Sequence, residues 1–231
     1  MLFHKEKIKE DIIYDDKNRI REKRYTIGRK LEGEYTSYYD NGQVMARLHF
    51  RSALRDGEAA SYYKSGQIRE KGTFKNDKLT GEYICYYESG QIREIENYKD
   101  AKLDGEYTLY YKTGQIKEVE YFKDGQFDGE YICYYKNGQI KEKGSFIRDK
   151  REGEYIAYSK SGQVREKAVY KNGNLEGEFL SFDEDELGHP EKNQDEEPFL
   201  LTDEADERDR EKMVDDLLRK MANFEKEQKK P

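Results

Sequence analysis

The chain has 231 residues, of which 40% are charged and 34% hydrophobic, and it carries a formal net charge of -7. Low hydrophobicity combined with high charge is typical of disordered chains and excludes an ordinary aliphatic core. The 21 Tyr and 10 Phe argue against disorder for most of the sequence and favour an extended fold with a thin aromatic core.

The charge is unevenly distributed along the chain. Residues 183–231 carry 18 acidic and 9 basic side chains, whereas residues 1–182 carry 34 basic and 32 acidic ones. A body with a net charge of +2 followed by an acidic tail excludes non-specific nucleic-acid binding, which needs a dominant positive field. The body also has no basic cluster of the kind that anionic lipids attract, which argues against membrane association.

Neither a membrane span nor a secretion signal is evident. No apolar run approaches the roughly 20 residues that a transmembrane helix needs, and the segment from Met1 to Glu6 lacks the apolar core of a signal peptide. We therefore expect a cytoplasmic protein. Its two cysteines are expected to stay reduced there.

A 24-residue period dominates the sequence. The pair Gly-Glu recurs at this interval without insertion or deletion, and a second pair, Gly-Gln, follows each of the first six copies at a fixed distance. We number the repeats from the first glycine of each copy: Gly33, Gly57, Gly81, Gly105, Gly129, Gly153 and a partial seventh at Gly177. Such self-similarity is the signature of a repeat architecture.

Each repeat is predicted to form one β-hairpin. In repeat 3, the aromatic half around Tyr83 and Tyr86 is typical of a strand. The following small residue and Gly90 form a hairpin signal, because glycine tolerates a positive φ. The second half from Ile92 to Tyr98 is the returning strand, and a polar segment then leads to the next hairpin. An α-helix is excluded, since no apolar stripe at 3.6-residue spacing survives these glycines.

We therefore predict an all-β repeat array, an elongated twisted antiparallel sheet of consecutive hairpins over residues 9–182. Residues 9–32 are predicted to be a degenerate N-terminal cap, in which Asn18 replaces the turn glycine. The seventh repeat stops at Phe182. Deviating terminal units are expected because they shield the edges of the sheet.

The C-terminal region differs from the repeats. Residues 183–201 form an acidic linker, and residues 202–228 are predicted to form one amphipathic α-helix with acidic first turns and a basic end. Five side chains form its apolar face: Met213, Leu217, Leu218, Met221 and Phe224. This face either covers the open edge of the last hairpin or binds another protein or a second copy.

One tyrosine recurs in all six repeats without exception. We name this row as the candidate partner-binding residues: Tyr38, Tyr62, Tyr86, Tyr110, Tyr134 and Tyr158. Stacking of like rings between adjacent repeats would give the row a structural role, whereas exposed aromatic residues are also favoured anchors for a protein partner. The sequence leaves both faces of the sheet open as the binding face.

No catalytic or metal-binding constellation is apparent, and we expect neither enzymatic activity nor a cofactor. The repeated Glu and Gln recur identically in every unit, whereas catalysis needs one asymmetric arrangement. His4, His49 and His189 are scattered, which does not suit a metal site. Cys85 and Cys133 lie two repeats apart, or roughly 19 Å across four strands, too far for a disulfide.

The repeat resembles a known family. The pattern Gly-Glu-Tyr-x-x-Tyr-Tyr-x-x-Gly-Gln, followed by Tyr-Lys-x-Gly-x-x-x-Gly, is similar to the bacterial variant of the MORN (membrane occupation and recognition nexus) repeat. Residues 122–129 and 170–177 match its second half best. Elsewhere the second-half glycine is replaced, for example by Ala53 and Asp77, and those loops are expected to have a different shape.

The resemblance also implies a function. Many proteins with this repeat resemble the YwqK-type antitoxins, which are proposed to bind and neutralise a partner toxin. It therefore implies a non-catalytic protein–protein binding module, an antitoxin or immunity protein with a toxin as its partner. The alternative is a structural scaffold or a self-assembling repeat protein. The family name further implies contact with membrane lipids, which the charge balance opposes.

Overall fold

A computed structural model describes residues 7–182, which form one antiparallel β-sheet of 19 strands. In chain order the strands are β1 (Ile8–Tyr14), β2 (Ile20–Ile27), β3 (Lys30–Tyr38), β4 (Val44–Arg51), β5 (Leu54–Tyr62), β6 (Ile68–Lys75), β7 (Lys78–Tyr86), β8 (Ile92–Lys99), β9 (Lys102–Leu103), β10 (Gly105–Tyr110), β11 (Ile116–Lys123), β12 (Gln126–Phe127), β13 (Gly129–Tyr134), β14 (Ile140–Ile147), β15 (Lys150–Arg151), β16 (Gly153–Tyr158), β17 (Val164–Lys171), β18 (Asn174–Leu175) and β19 (Leu180–Ser181). The predicted all-β array of hairpins is confirmed.

The predicted linker (183–201) and C-terminal helix (202–228) lie outside the described residues, and so do the five residues of the helix's apolar face. The predicted cap, residues 9–32, contains the hairpin β1–β2 apart from Ile8, and the first three residues of β3. Within residues 7–182, no helix has the length and apolar character needed to cross a membrane.

Each repeat folds as a hairpin closed by a three-residue loop. In repeat 3, β7 pairs with β8, so that Gly81 lies opposite Tyr98. The loop is fixed by two backbone bonds of 2.8 Å, from Tyr87 N to the Gln91 carbonyl and from Gly90 N to the Tyr87 carbonyl. Gly90 has a φ of 89°, a left-handed conformation that glycine adopts at no steric cost. Asn18 replaces glycine in the first hairpin with a φ of 59°, since asparagine tolerates this region best among residues with a side chain.

Successive hairpins are joined by two-residue turns. Lys99 pairs with Lys102, and the two residues between them have φ values of 52° (Asp100) and 67° (Ala101). Two positive φ values are typical of a type I′ turn, which matches the twist of the strands. Gly125 occupies the same position one repeat later with a φ of 86°. The expectation that loops lacking this glycine have a different shape is therefore wrong, because alanine and aspartate are held in the same left-handed region.

The strand register defines two faces of the sheet. Each hairpin contains a β-bulge one residue before its loop, as between Cys85 and Tyr86. Since side chains alternate along a strand, Tyr83 and Cys85 share one face with Glu94, while Ile84 lies on the other. We call the first the core face, because it carries most of the buried apolar residues, and the second the open face.

Aromatic rings and carboxylates pack together on the core face. Tyr155 meets Tyr170 of its own repeat edge-to-face, with ring centroids 6.3 Å apart, and equivalent pairs recur in repeats 1, 3 and 4. The Tyr155 hydroxyl donates to Oε2 of Glu142 in the preceding repeat at 3.0 Å. The rings therefore contact one another mainly within a repeat, and hydroxyl–carboxylate bonds join one repeat to the next. One ring contact crosses from repeat 4 to repeat 5, between Phe127 and Phe146, with centroids 5.4 Å apart. Stacking of the same ring from one repeat to the next stays a prediction.

Candidate functional site

The recurrent tyrosine row lies at equivalent points along the open face. Its members end strands β3, β5, β7, β10, β13 and β16, and all six are half-buried. Each is paired across the bulge with the first residue of the next strand, for example Tyr86 with Ile92 and Tyr110 with Ile116. The structure thus places the candidate residues in one row, each beside an aliphatic side chain, and the residues are in contact with solvent.

A second tyrosine in each repeat fixes the backbone of this row. The Tyr87 hydroxyl donates to the carbonyl oxygen of Tyr110 at 2.8 Å, and the Tyr111 hydroxyl donates to the carbonyl oxygen of Tyr134 at 2.6 Å. The same bond joins repeats 1 and 2, 2 and 3, and 5 and 6. Repeat 6 has Ser159 at the donor position, so this series of bonds ends there. The row is held in place before any partner arrives.

Charged side chains flank the row at both ends of the array. The guanidinium carbon of Arg47 lies 6.0 Å from the centre of the Tyr62 ring, and Lys71 Nζ lies 5.8 Å from the Tyr86 ring. In repeat 6 the corresponding cation, Lys167, bonds to Glu154 at 2.6 Å. These side chains are exposed, and cations at such sites contribute only modestly to stability.

The middle of the open face differs from its two ends, because repeats 3 and 4 lack the lysine or arginine that lies beside the tyrosine row in the other repeats. Ile95 and Val119 stand at the positions that lysine or arginine fills in repeats 1, 2, 5 and 6. Cross-strand pairing then places Ile84, Ile95, Thr108, Val119 and Ile132 side by side in one line. We call these five residues the apolar row. It spans four strand spacings, or roughly 19 Å.

A lysine lies at each end of the apolar row. Lys71 pairs with Ile84 at one end and Lys143 with Ile132 at the other. The row contains four aliphatic side chains and one threonine methyl, bordered by Tyr86, Tyr110 and Tyr134. Ile84 and Thr108 are buried, with 9% and 5% of their surface exposed. Ile95, Val119 and Ile132 are half-buried and form, with the bordering tyrosines, the apolar and aromatic patch that a partner can reach. Such a patch within a face that is otherwise charged is typical of interaction sites.

The titratable groups of the core face are covered and engage one another. Glu94 and Glu96 are each only 2% exposed, and they accept hydrogen bonds from Tyr107 at 3.1 Å and Tyr98 at 2.6 Å. The charge of Glu94 is partly compensated by Arg93 at 2.8 Å. Sequence reasoning missed these buried acids, because their periodic recurrence looks the same as that of a solvated glutamate.

Three further core-face groups, one carboxyl and two thiols, have strongly raised pKa values. Burial, reinforced by the neighbouring charge of Glu118, raises the pKa of Glu120 far above its ordinary value of 4.5. Burial also raises the pKa of the thiols of Cys85 and Cys133, both of which are free. Neither thiol is thereby activated as a nucleophile. Among residues 7–182, no three His, Cys, Asp or Glu side chains are placed to hold a metal ion.

A protein-family model described as "MORN repeat variant" matches the chain six times in succession. The matches cover more than half of the chain and lie at residues 31–52, 55–76, 79–100, 103–124, 127–148 and 151–172. They repeat the 24-residue period and include every member of the tyrosine row. No curated protein matches the chain significantly.

Comparison with solved structures gives only distant likenesses. A GtfA/B complex bound to UDP and GlcNAc is 17% identical over 57% of this chain and 23% of its own, with a TM-score of 0.20. A TcdB2-TccC3-Cdc42 structure is 11% identical over 73% of this chain and 13% of its own, at a TM-score of 0.23. A porin-like protein from Bacteroides uniformis is 10% identical over 74% of this chain and 87% of its own, with a TM-score of 0.21. The chain thus spans less than a quarter of the first two, and TM-scores this low carry no argument.

Proposed function

The chain belongs to the MORN repeat variant family, and from that premise and the geometry of the open face we propose that it is a non-catalytic protein-binding module. Membership of the family is compatible with a binding role or a scaffold role. The observation that carries the proposal is the apolar row, which replaces a cation with Ile95 and Val119 in two adjacent repeats at the middle of the sheet.

The physical properties of this surface suit a protein partner. Burial of aliphatic surface contributes about 25 cal/mol for each Å² removed from water. Tyrosine adds a large contact area at a small cost in conformational entropy. Because the preceding repeat already holds the backbone of Tyr110 and Tyr134 through hydrogen bonds, little ordering remains to oppose association.

We propose that the partner is a toxin and that binding blocks it, so that the protein acts as an antitoxin or immunity protein. The repeat's similarity to those of the YwqK-type antitoxins supports this choice. A rigid sheet face that covers a partner's working surface would neutralise it without any chemistry of its own. The proposed mechanism is therefore occlusion, with the apolar row at the centre of the interface.

The sharpest test restores the missing cations. The double variant Ile95→Lys/Val119→Lys gives repeats 3 and 4 the residue type that the chain already tolerates at Lys71 and Lys143. The fold is therefore expected to persist, as circular dichroism and thermal unfolding would show. The variant should lose the partner that the full chain retains on purification from its native host. It should also fail to rescue growth when co-expressed with that partner.

A matched control keeps the cation pattern unchanged. The variant Lys71→Arg/Lys143→Arg alters two flanking residues without adding or removing charge, and it should retain the partner with less than a threefold change in affinity. Equal retention by the two double variants would reject the apolar row as the interface. A chain that recovers only copies of itself, with a mass in light scattering that rises with concentration, would favour the scaffold alternative.

A further inference from the structure

A second surface lies along the hairpin loops, at the edge of the sheet where each bulge occurs. In the first hairpin the charges at this edge neutralise one another. Arg21, which follows the first loop, forms an ion pair with Asp40 in the loop of the next repeat. Asp40 also lies 3.9 Å from Arg19. The residue left unpaired at one bulge and the first residue of the next loop are therefore neighbours, and we call each such pair a loop junction.

Later in the chain the same junctions contain two cations. Counted in steps of 24 residues, the equivalents of Arg21 and Asp40 are Met45 and Lys64 in the second junction and the oppositely charged Arg69 and Glu88 in the third. In three successive junctions they are alike in charge: Arg93 with Lys112, Lys117 with Lys136, and Lys141 with Lys160. No acidic residue occurs in segments 111–117, 135–141 or 159–165, whereas segment 87–93, which supplies Arg93, contains Glu88. The two positions that form an ion pair in the first junction thus carry like charges in three consecutive junctions.

A fixed tyrosine ring lies at the first of these three junctions. Lys112 Nζ is 5.9 Å from the centre of the Tyr87 ring. In earlier repeats, both kinds of junction residue take this place: Lys64 Nζ is 6.0 Å from the Tyr39 ring, and the Arg69 guanidinium carbon is 6.0 Å from the Tyr63 ring. Since the hydroxyls of these rings are bonded to the next repeat, the cations are arranged around a rigid platform.

Most of the charge at the junctions is available to a ligand. Lys112, Lys117, Lys136 and Lys160 are exposed and Lys141 is half-buried. Among the described residues, Lys117, Lys136, Lys141 and Lys160 take part in no ion pair, while Arg93 is bonded to Glu94. The nearest acids on the core face, Glu118 and Glu142, are engaged with Cys133 and Tyr155.

The spacing of the junctions identifies the ligand. Successive junctions are two strands apart, or about 10 Å. A polyproline II helix has three residues per turn and advances about 9.3 Å per turn, so every third side chain points the same way. We propose that the three like-charge junctions form a docking surface for an acidic polypeptide in this conformation, with Asp or Glu at every third residue. Each carboxylate then lies between two cations, where charge-assisted hydrogen bonds are strongest.

The test uses two peptides of identical composition. One contains four Glu-Pro-Pro triplets, and its isomer places the four Glu together ahead of eight Pro. Titration of the full chain with fluorescently labelled peptides at low salt should show at least fivefold tighter binding of the triplet peptide. Salt should weaken this binding steeply. Equal affinity for both isomers, or no binding to either, would overturn the proposal.

Protein variants locate the surface. The double variant Lys117→Gln/Lys136→Gln removes both cations of the central junction and should weaken binding of the triplet peptide about tenfold. Lys75→Gln/Lys123→Gln removes the same charge from the opposite edge and should change it less than twofold. Equal weakening by both would indicate a non-specific effect of net charge and reject the site. Vesicles rich in phosphatidylserine or an oligonucleotide that bind through Lys117 and Lys136 more tightly than the peptide would also reject it.

This surface is independent of the apolar row. The variant Ile95→Lys/Val119→Lys should bind the triplet peptide at least as tightly as the parent, because neither residue belongs to a loop junction and the added charges are positive. A loss of the native partner without a loss of peptide binding would support both surfaces. A loss of peptide binding in that variant would reject the independence of the two proposals.

Discussion

Replacing Glu120 by Gln should stabilise the protein, and by an amount that grows with pH. Glu118 and Glu120 lie two residues apart on β11 and are 9% and 7% exposed. Burial and the neighbouring Glu118 raise the pKa of Glu120 far above 4.5. The folded protein therefore keeps this carboxyl protonated at neutral pH, whereas the unfolded chain releases the proton.

The sign follows from proton linkage. Above pH 4.5 the folded state binds one proton more than the unfolded state, so the free energy of unfolding falls by up to about 1.4 kcal/mol for each pH unit. Glutamine is neutral at every pH and can still donate a hydrogen bond to Glu118. The advantage of Glu120→Gln should be near zero below pH 4.5. It should rise to about 2–3 kcal/mol at pH 6.5, two units higher.

Urea unfolding of the parent and the variant between pH 4 and pH 7.5 measures this difference. Subtracting the two free energies of unfolding at each pH removes the contributions of the titratable groups that both proteins share. The exposed Glu130 provides the control, since Glu130→Gln should differ from the parent by a few tenths of a kcal/mol at every pH. A pH-independent difference for Glu120→Gln would refute the reasoning. So would a difference that shrinks as the pH rises, because the carboxyl would then be ionised in the fold.

Three further predictions concern the turns, the tyrosine bonds and the thiols. Ala101→Gly should raise the free energy of unfolding by about 0.5–1 kcal/mol, because it relieves a φ of 67°, whereas Gly125→Ala, at the equivalent position, should lower it similarly in urea titrations. Tyr111→Phe removes the 2.6 Å bond to the next repeat and should cost about 1 kcal/mol; Tyr110→Phe, compared by thermal unfolding, should cost less. Burial raises the pKa of the Cys133 thiol, so reaction with a disulfide reagent should be slow in the folded protein and fast in urea; rapid reaction without unfolding would contradict its burial.

The period was sufficient to predict the hairpins and their loops. A turn glycine such as Gly90, with a φ of 89°, and a strand of alternating aromatic residues are local features. Local features of this kind can be predicted from a single sequence. The burial of Glu94 and Glu120 could not be predicted from local sequence features. It depends on the bulge after Cys85 and on hydroxyl donors from neighbouring repeats, such as that from Tyr107, and these become neighbours only once the register is fixed.

The candidate site was predicted in part. The sequence singled out the tyrosine row, and the structure places its six members on one face at equivalent strand ends. The apolar row was missed because Ile95 and Val119 look unremarkable until cross-strand pairing joins them to Ile84 and Ile132. The loop junctions were missed for the same reason, since the near-neutral net charge of the body hides cations that the hairpins gather at one edge.

The bonds that hold the repeats together also determine where a new function can arise. Hydroxyl–carbonyl bonds such as Tyr87 to Tyr110 and hydroxyl–carboxylate bonds such as Tyr155 to Glu142 connect each hairpin to its neighbour. Change at these positions therefore disrupts two repeats at once. The positions filled by Ile95 and by the junction lysines carry no such bond, and their side chains can vary without loss of the array. In a stack of near-identical units, specificity should reside at positions free of structural bonds, and the two proposed surfaces lie there.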